Sequence, residues 1–185
     1  YITYADGSYS IYRVDAVRRC IGEKLFIEEN FAYGDDNYLG LMLWNCGYKI
    51  IAIPVVTAEH YRGGTFSSMH GTQWYLTMRN RIAFNVIANS RYKNLINLRF
   101  LKGFITPTIA KEKLRSLYLQ AVRDGLRLGK KLRRRIGLID IYKAPLVYLS
   151  VSEVLSCLLI PRKIYLKNIE DKIERIIEKY QVSSG

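Results

Sequence analysis

Two adjacent carboxylates, Asp35 and Asp36, are the residues of this sequence best suited to acid–base chemistry. They follow Tyr33-Gly34 and stand immediately before a Leu-rich helical pattern. A carboxylate at a helix start, with a second carboxylate beside it, can be tuned to accept a proton. The same position also suits a simple helix cap, because backbone N–H groups are free there. The pattern leaves both interpretations open, a general base and a cap.

A histidine near the end of an apolar run is the candidate metal ligand. His60 follows the run KIIAIPVV by a few residues and stands between Glu59 and a Gly-rich loop. Histidine is the commonest ligand of transition metals, and a strand end beside such a loop is the setting of an ion or phosphate site. A lone histidine is, however, more often structural than a ligand, so both interpretations of His60 stay open.

Four further residues have side chains that suit a phosphate or a sugar. Arg79 and Arg81 open an apolar helical pattern, and a guanidinium binds phosphate through two parallel hydrogen bonds. Arg62, in the Gly-rich loop, is grouped with them as a substrate-binding candidate. Trp74, beside that loop, suits stacking on a sugar as well as packing in the core. A solvated helix face explains the two helix arginines without any ligand.

The elements predicted to position these residues are strands followed by helices. Residues 1–14 predict a strand pair or a strand with a bend, and the run 49–56 predicts a short apolar strand. Helices are predicted over 15–22, 36–46, from about residue 73 to 90, and over 110–132. The apolar stretch 144–160 and the amphipathic stretch 164–180 complete the chain.

Length and charge define a core-forming chain with one strongly basic segment. The chain has 185 residues, 49% of them hydrophobic, which excludes a disordered chain and is enough for a domain with a core. The net charge of +13 is concentrated in residues 91–135, which hold 14 Lys and Arg against 2 Asp and Glu. Such a distribution is typical of a module with one electropositive element.

The basic segment has three interpretations: a solvated helical face, docking on an anionic membrane surface, and binding of nucleic acid. We favour the membrane surface, because the apolar stretch 144–160 follows and tyrosines flank it. That stretch reaches the lower length limit for a membrane span, but Glu153 lies near its middle, and a buried hairpin of helices explains 144–180 equally well. Nucleic acid is disfavoured, because no nucleic-acid-binding motif is present.

The sequence has three widely spaced cysteines and no CxxC pair. They are Cys20, Cys46 and Cys157. Their odd number and spacing predict reduced thiols, which favours an intracellular setting. Together with the basic segment, this predicts a membrane-associated protein on the cytoplasmic face.

The run GDDNYLGLMLWNCGYKIIAIPVVTAEH, from Gly34 to His60, resembles the second half of family 2 glycosyltransferases of the GT-A fold. That family shows an acidic pair, a Leu-rich helix, a Gly-Tyr-Lys step, a strand ending in Pro, and a His. The downstream MRNRIAFN is similar to the Arg-Asn-Arg helix start of many members. The resemblance covers roughly residues 4–90.

The resemblance implies an α/β fold: an acceptor-side part of a GT-A-type domain over 1–90, followed by a mostly α-helical extension over 91–185. Asp36 matches the general base that deprotonates the acceptor hydroxyl, with Asp35 in support. His60 matches a position that can complete the site of a divalent cation, Mg²⁺ or Mn²⁺. The implied reaction is an inverting transfer from a nucleotide-sugar donor to a lipid-linked or polysaccharide glycan acceptor.

The chain also departs from the family pattern. The nucleotide-binding first half with its Asp-x-Asp motif is absent, as is the Gln-x-x-Arg-Trp motif of processive members. We therefore expect a fragment whose donor-binding half lies upstream. The competing hypothesis is a non-catalytic, membrane-docking helical protein with a degenerate transferase remnant.

Overall fold

The structure is a computed structural model that describes residues 1–6, 9–53, 55–56, 58–59, 70–94, 112–160 and 162–182. Its main elements are helices. They are α1 (Val14–Ile21), α2 (Asp35–Asn45), α3 (His70–Ile87), α4 (Glu112–Ile136), α5 (Val151–Leu159) and α6 (Arg162–Val182). The helices predicted over 15–22, 36–46 and 110–132 are confirmed with shifted ends, and the helix predicted from residue 73 begins earlier, at His70.

The predicted α/β class is wrong for the described part of the chain, which is mostly helical and contains no strand or sheet. The two segments predicted as strands, residues 1–14 and 49–56, form no strand in their described residues, and Val14 already begins α1. Among the described residues of the two segments, one backbone hydrogen bond joins them, from Ile2 N to Ile50 O at 3.0 Å. A β-branched run becomes a strand only when a neighbour completes its ladder of hydrogen bonds, and local sequence cannot guarantee that neighbour.

The chain divides into two compact units. The first comprises Tyr1–Ser90 and Thr108–Leu146, and the second comprises Arg91–Pro107 and Val147–Gly185. The domain boundary predicted after residue 90 stays a prediction, and α4 belongs to the first unit. The basic helix therefore belongs to the same unit as Asp35 and Asp36.

Helices α3 and α4 pack along their length and form the centre of the first unit. Ala83 and Ile87 of α3, and Ala121 and Leu132 of α4, are fully buried. Two glycines allow the close approach. A Cβ at Gly129 would lie 2.6 Å from the Cβ of Val86, and one at Gly125 would lie 2.6 Å from the backbone oxygen of Arg79. Both distances are far shorter than a carbon contact.

A polar network joins the ends of α2 and α3 to the segment after α4. The Asn45 amide donates to Asp140 O at 3.0 Å and accepts from Asp140 N at 2.9 Å. Asn89 donates to Asp140 Oδ1 at 2.7 Å and accepts from Ile141 N at 2.9 Å. The hydrogen bond from Asn89 lowers the pKa of Asp140. These bonds satisfy backbone groups that an irregular segment would otherwise leave unpaired.

A disulfide between Cys20 and Cys46 joins α1 to the end of α2, with Cα atoms 5.8 Å apart. The prediction of reduced thiols is therefore wrong for these two residues. Helices α1 and α2 pack through Val17, Leu39 and Leu43, and this packing brings the two cysteines together. A separation of 26 residues in sequence carries no such information, because only the fold sets the Cα distance that a disulfide needs.

The second unit contains α5 and α6, and Glu153 has a structural role there. Ser150 and Glu153 form a capping box at the start of α5, and Glu153 also pairs with Lys172 of α6 at 2.7 Å. The apolar stretch 144–160 thus forms a short helix preceded by extended chain. Among the described residues, no helix is both long and apolar enough to span a membrane.

Candidate active site

The loop that leads into α2 has an unusual backbone. A 3₁₀ turn, Glu28–Asn30, is followed by three residues with positive φ: Phe31 at 64°, Tyr33 at 69° and Gly34 at 83°. Glycine adopts such angles freely, but aromatic residues rarely do, at a cost of about 1–3 kcal/mol each. The surrounding contacts must therefore hold this backbone, which sets where Asp35 and Asp36 begin the helix.

Asn80, on the buried side of α3, supplies most of those contacts. Its side-chain nitrogen Nδ2 lies 3.0 Å from Asn30 O, 2.7 Å from Ala32 O and 2.8 Å from Tyr33 O. Its own backbone oxygen accepts from the Tyr38 hydroxyl at 3.2 Å. Only 2% of Asn80 is exposed, so its side-chain amide is withdrawn from water and depends on these internal hydrogen bonds.

Arg79 holds the start of the same loop. Its Nη2 donates to Glu29 O at 2.9 Å and to Asn30 O at 2.7 Å, while its Nε donates to Asn80 Oδ1 at 3.0 Å. The guanidinium is thus engaged by backbone carbonyls, in the position predicted to contact a phosphate. We call Arg79 and Asn80 together the α3 clamp.

Glu29 ties the loop to α4 as well. Its Oε1 lies 3.2 Å from Lys131 Nζ and 2.6 Å from Arg135 Nη1. Burial by itself would raise the pKa of the Glu29 carboxyl. Hydrogen bonds from its own backbone N–H, Lys131 and Arg135 outweigh burial, and that pKa is lowered. The loop is consequently held from α3 through its backbone and from α4 through this side chain.

Asp35 and Asp36 occupy the first turn of α2 and are partly exposed. Asp36 Oδ1 accepts from Asn37 N at 2.8 Å and from Asn37 Nδ2 at 2.9 Å. In the described part of the chain, Asp36 Oδ2 and the Asp35 carboxylate make no hydrogen bond. The cap residue of α2 is Gly34, which has no side chain to serve the free N–H groups. The two acids therefore present oxygens that a substrate hydroxyl can reach.

Tyr38 anchors α2 beneath the acidic pair. It is buried, and its ring meets Phe84 edge-on with centroids 5.2 Å apart. Burial raises the pKa of its hydroxyl, which is thus held as a neutral donor to the α3 clamp. This contact fixes α2 against α3 within one turn of Asp35 and Asp36.

The other candidates from the sequence lie in different settings. Trp74 packs against the buried Tyr118 of α4 at 5.7 Å between ring centroids and is partly exposed. Arg81 is exposed on α3. His60 and Arg62 lie outside the described residues, so their predicted roles remain predictions.

A cation site is incomplete in the described ranges. They hold no group of three or more His, Cys, Asp or Glu residues suited to a metal ion. Asp35 and Asp36 alone fall short of the six oxygen ligands that Mg²⁺ requires, unless water and substrate supply the rest. The divalent cation implied by the resemblance accordingly remains a prediction, and no chemical step below depends on it.

Sequence reasoning overlooked Asn80, although a signal was present. Leu76, Asn80, Ala83 and Ile87 recur at intervals of three or four, which is the buried stripe of α3. An amide on such a stripe needs internal hydrogen-bond partners, because burial without them is costly. The flanking arginines drew attention as phosphate ligands, whereas the residue between them organises the loop.

Comparison with known proteins identifies no relative. No protein-family model, no curated protein and no solved structure matches this chain. The likeness to family 2 glycosyltransferases therefore depends on the residues quoted above, and the function that follows from it is a proposal.

Proposed function

We propose that this chain takes part in glycosyl transfer from a nucleotide-sugar donor to a lipid-linked or polysaccharide acceptor, with Asp36 as the general base. The observation that carries the proposal is the accessible acidic pair at the start of α2, after a loop that the α3 clamp holds in a strained shape. Strained backbone is commonly retained where a site needs a fixed geometry.

The proposed step is a single displacement with inversion. Asp36 accepts the proton of the acceptor hydroxyl as that oxygen bonds to the anomeric carbon of the sugar. The bond from this carbon to the donor phosphate oxygen breaks, and the nucleoside diphosphate leaves with the electron pair. The proton acceptor is Asp36 Oδ2, the oxygen that makes no hydrogen bond within the described residues. Asp35 supports Asp36 by adding a second negative charge at the start of the helix.

Positioning of the base is the task of the α3 clamp. General-base catalysis requires the base to lie within hydrogen-bond reach of the proton that it removes. Asn80 and Arg79 donate to four carbonyls of the preceding loop, at Glu29, Asn30, Ala32 and Tyr33. Movement of this loop would move the first turn of α2, and with it Asp36.

The test is release of nucleoside diphosphate by this chain joined to the nucleotide-binding half that the resemblance implies, supplied with UDP-, GDP- and dTDP-sugars and a lipid extract containing glycan-linked lipids. Asp36→Asn should lower the rate by about 10²–10⁴-fold, the usual contribution of a general base. Asp171→Asn, which removes an exposed acid of α6, is the matched control and should keep the wild-type rate. An unchanged rate in Asp36→Asn, or no release by the wild type, would contradict the proposal.

The alternative, a membrane-docking protein without catalysis, is favoured by a different observation. Helix α4 carries an exposed basic surface, and Asp35 and Asp36 are not part of it. The two functions are compatible within one unit, and their tests use different residues and different readouts.

A further inference from the structure

The outer side of α4 carries a dense group of cations, which we call the basic face. All of its residues are exposed: Arg123, Arg127, Lys130, Lys131, Arg133, Arg134 and Arg135. Spacings of three and four residues place Arg127, Lys130 and Arg134 along one side of the helix. The opposite side is buried against α3, so the cations point away from the core.

Part of the basic face surrounds a shallow, widely open depression. It has a volume of about 440 Å³ and is lined by Arg127, Lys130, Lys131, Arg134 and Arg135. Every lining residue is a cation. A surface with one sign of charge attracts anions and raises their local concentration.

Internal partners account for only some of this charge. Lys131 and Arg135 share Glu29, and Arg133 donates to Val86 O at 3.2 Å. Arg123 and Arg127 lie 3.7 and 3.9 Å from Asp124, distances too long for good hydrogen bonds.

Lys130 and Arg134 have no partner among the described residues. The two carboxylates that contact the basic face, Glu29 and Asp124, are far fewer than its cations, so the face keeps a clear excess of positive charge. Such an excess weakens the folded unit through repulsion unless an anion lies against it.

Exposed leucines stand on the same outer side. Leu119 is 51% exposed and Leu126 is 44% exposed, and the two are seven residues apart. Arg123 and Lys130 follow them at four-residue intervals, so apolar and basic side chains alternate along the surface. This combination is typical of helices that lie at a membrane interface, where cations meet headgroups and apolar side chains enter the acyl boundary.

We propose that the basic face of α4 docks the protein on a membrane surface that carries anionic phospholipid headgroups. The alternation of leucines with cations favours a membrane over nucleic acid, which gains nothing from exposed leucines. No aromatic residue stands on the basic face to stack on bases, since Tyr118 is buried. The inference is independent of Asp36 and holds whether or not the chain catalyses transfer.

The test is co-sedimentation of the full chain with vesicles of phosphatidylserine and phosphatidylcholine, compared with phosphatidylcholine alone. The variant Arg127→Gln/Lys130→Gln/Arg134→Gln should bind on the order of 100-fold more weakly, because each cation near such a surface contributes about five-fold. The matched control, Arg18→Gln/Arg19→Gln/Lys24→Gln, neutralises three exposed cations elsewhere in the same unit and should bind within about two-fold of the wild type.

A second variant separates lipid docking from simple charge attraction. Leu119→Ser/Leu126→Ser keeps every charge and should weaken binding most at high salt, where screening leaves the apolar contribution dominant. Unchanged near-ultraviolet circular dichroism would show that each variant is folded. Equal binding to neutral vesicles, absence of vesicle binding, or tighter binding to an oligonucleotide than to vesicles at the same salt would overturn the proposal.

Discussion

Asn80 is the single residue on which the loop before α2 depends most. Its one amide nitrogen serves three carbonyls, at Asn30, Ala32 and Tyr33, in a region where the backbone of two aromatic residues is strained. Asn30 offers a contrast within the same loop. It is fully buried, but its side-chain oxygen and nitrogen have no hydrogen-bond partner among the described residues.

This contrast gives a prediction for stability. Asn80→Ala should lower the free energy of unfolding by about 2–3 kcal/mol, because it removes a buried donor that serves three carbonyls of the loop. Asn30→Leu, a near-isosteric change, should be close to neutral, because it removes a polar group that has no partner. Urea denaturation followed by tryptophan fluorescence measures both, since Trp44 and Trp74 lie in the first unit. A larger loss for Asn30→Leu than for Asn80→Ala would show that the clamp is assigned to the wrong residue.

The residues of the acidic pair could be identified from sequence, but their supports could not. The type and order of residues 34–36 indicated a helix start with two carboxylates, and α2 begins there. The hydrogen bonds of Asn80 join residues almost 50 positions apart, and nothing local to either segment encodes them. Side chains that serve distant backbone depend on tertiary packing, which periodicity alone does not specify.

At the scale of elements, helices were predicted well and strands were not. Helices α2 and α4 satisfy their own backbone hydrogen bonds, so local periodicity is sufficient to predict them. The segments predicted as strands would need a partner outside themselves, and Ile51 and Ile53 remain exposed. The apolar stretch 144–160 likewise divides into extended chain and the short α5, because Ser150 and Glu153 start a helix within it.

The link between α5 and α6 has a defined dependence on pH. The hydrogen bond from Lys172, with those from Ser150, lowers the pKa of Glu153 from 4.5 to about 2. A carboxyl with a lowered folded-state pKa stabilises the fold above its ordinary pKa, and this stabilisation is lost as pH falls toward 2. The thermal stability of the wild type should therefore decline as the pH falls from 4.5 to about 2.

Thermal melts followed by far-ultraviolet circular dichroism measure the contribution of this pair. Glu153→Gln should start less stable near neutral pH and lose less stability on acidification than the wild type. Glu174→Gln, which removes an exposed acid of α6, should retain the wild-type decline. An identical acid response in Glu153→Gln and wild type would contradict the role of the pair.

At the scale of the whole molecule, the disulfide and the charge distribution carry opposite implications for location. The basic face suits an anionic membrane surface, as the sequence indicated. The bond between Cys20 and Cys46 suits an oxidising setting, whereas the cytoplasmic-face prediction drew on reduced thiols. That prediction consequently loses the support of the cysteines and depends on the charge alone.

Reduction of the disulfide should weaken the first unit measurably. Closing a loop of 26 residues stabilises a fold by about 3 kcal/mol, mainly by restricting the unfolded chain. Dithiothreitol should lower the free energy of unfolding of the wild type by about that amount. The variant Cys20→Ala/Cys46→Ala should match the reduced wild type and be insensitive to reductant. Three reactive thiols in the native, unreduced protein would contradict the disulfide.

The measurement that tests the central claim most directly is chemical rescue of Asp36→Ala by formate, with nucleoside diphosphate release as the readout. If the Asp36 carboxylate accepts the proton of the acceptor, Asp36→Ala should be slower by about 10²-fold or more, and added formate should restore part of the rate. Free formate can accept a proton in place of the missing carboxylate, but it cannot restore a helix cap that the Asp36 side chain would provide. A folded Asp36→Ala variant that keeps the wild-type rate, or loses it without recovery in formate, would contradict the account.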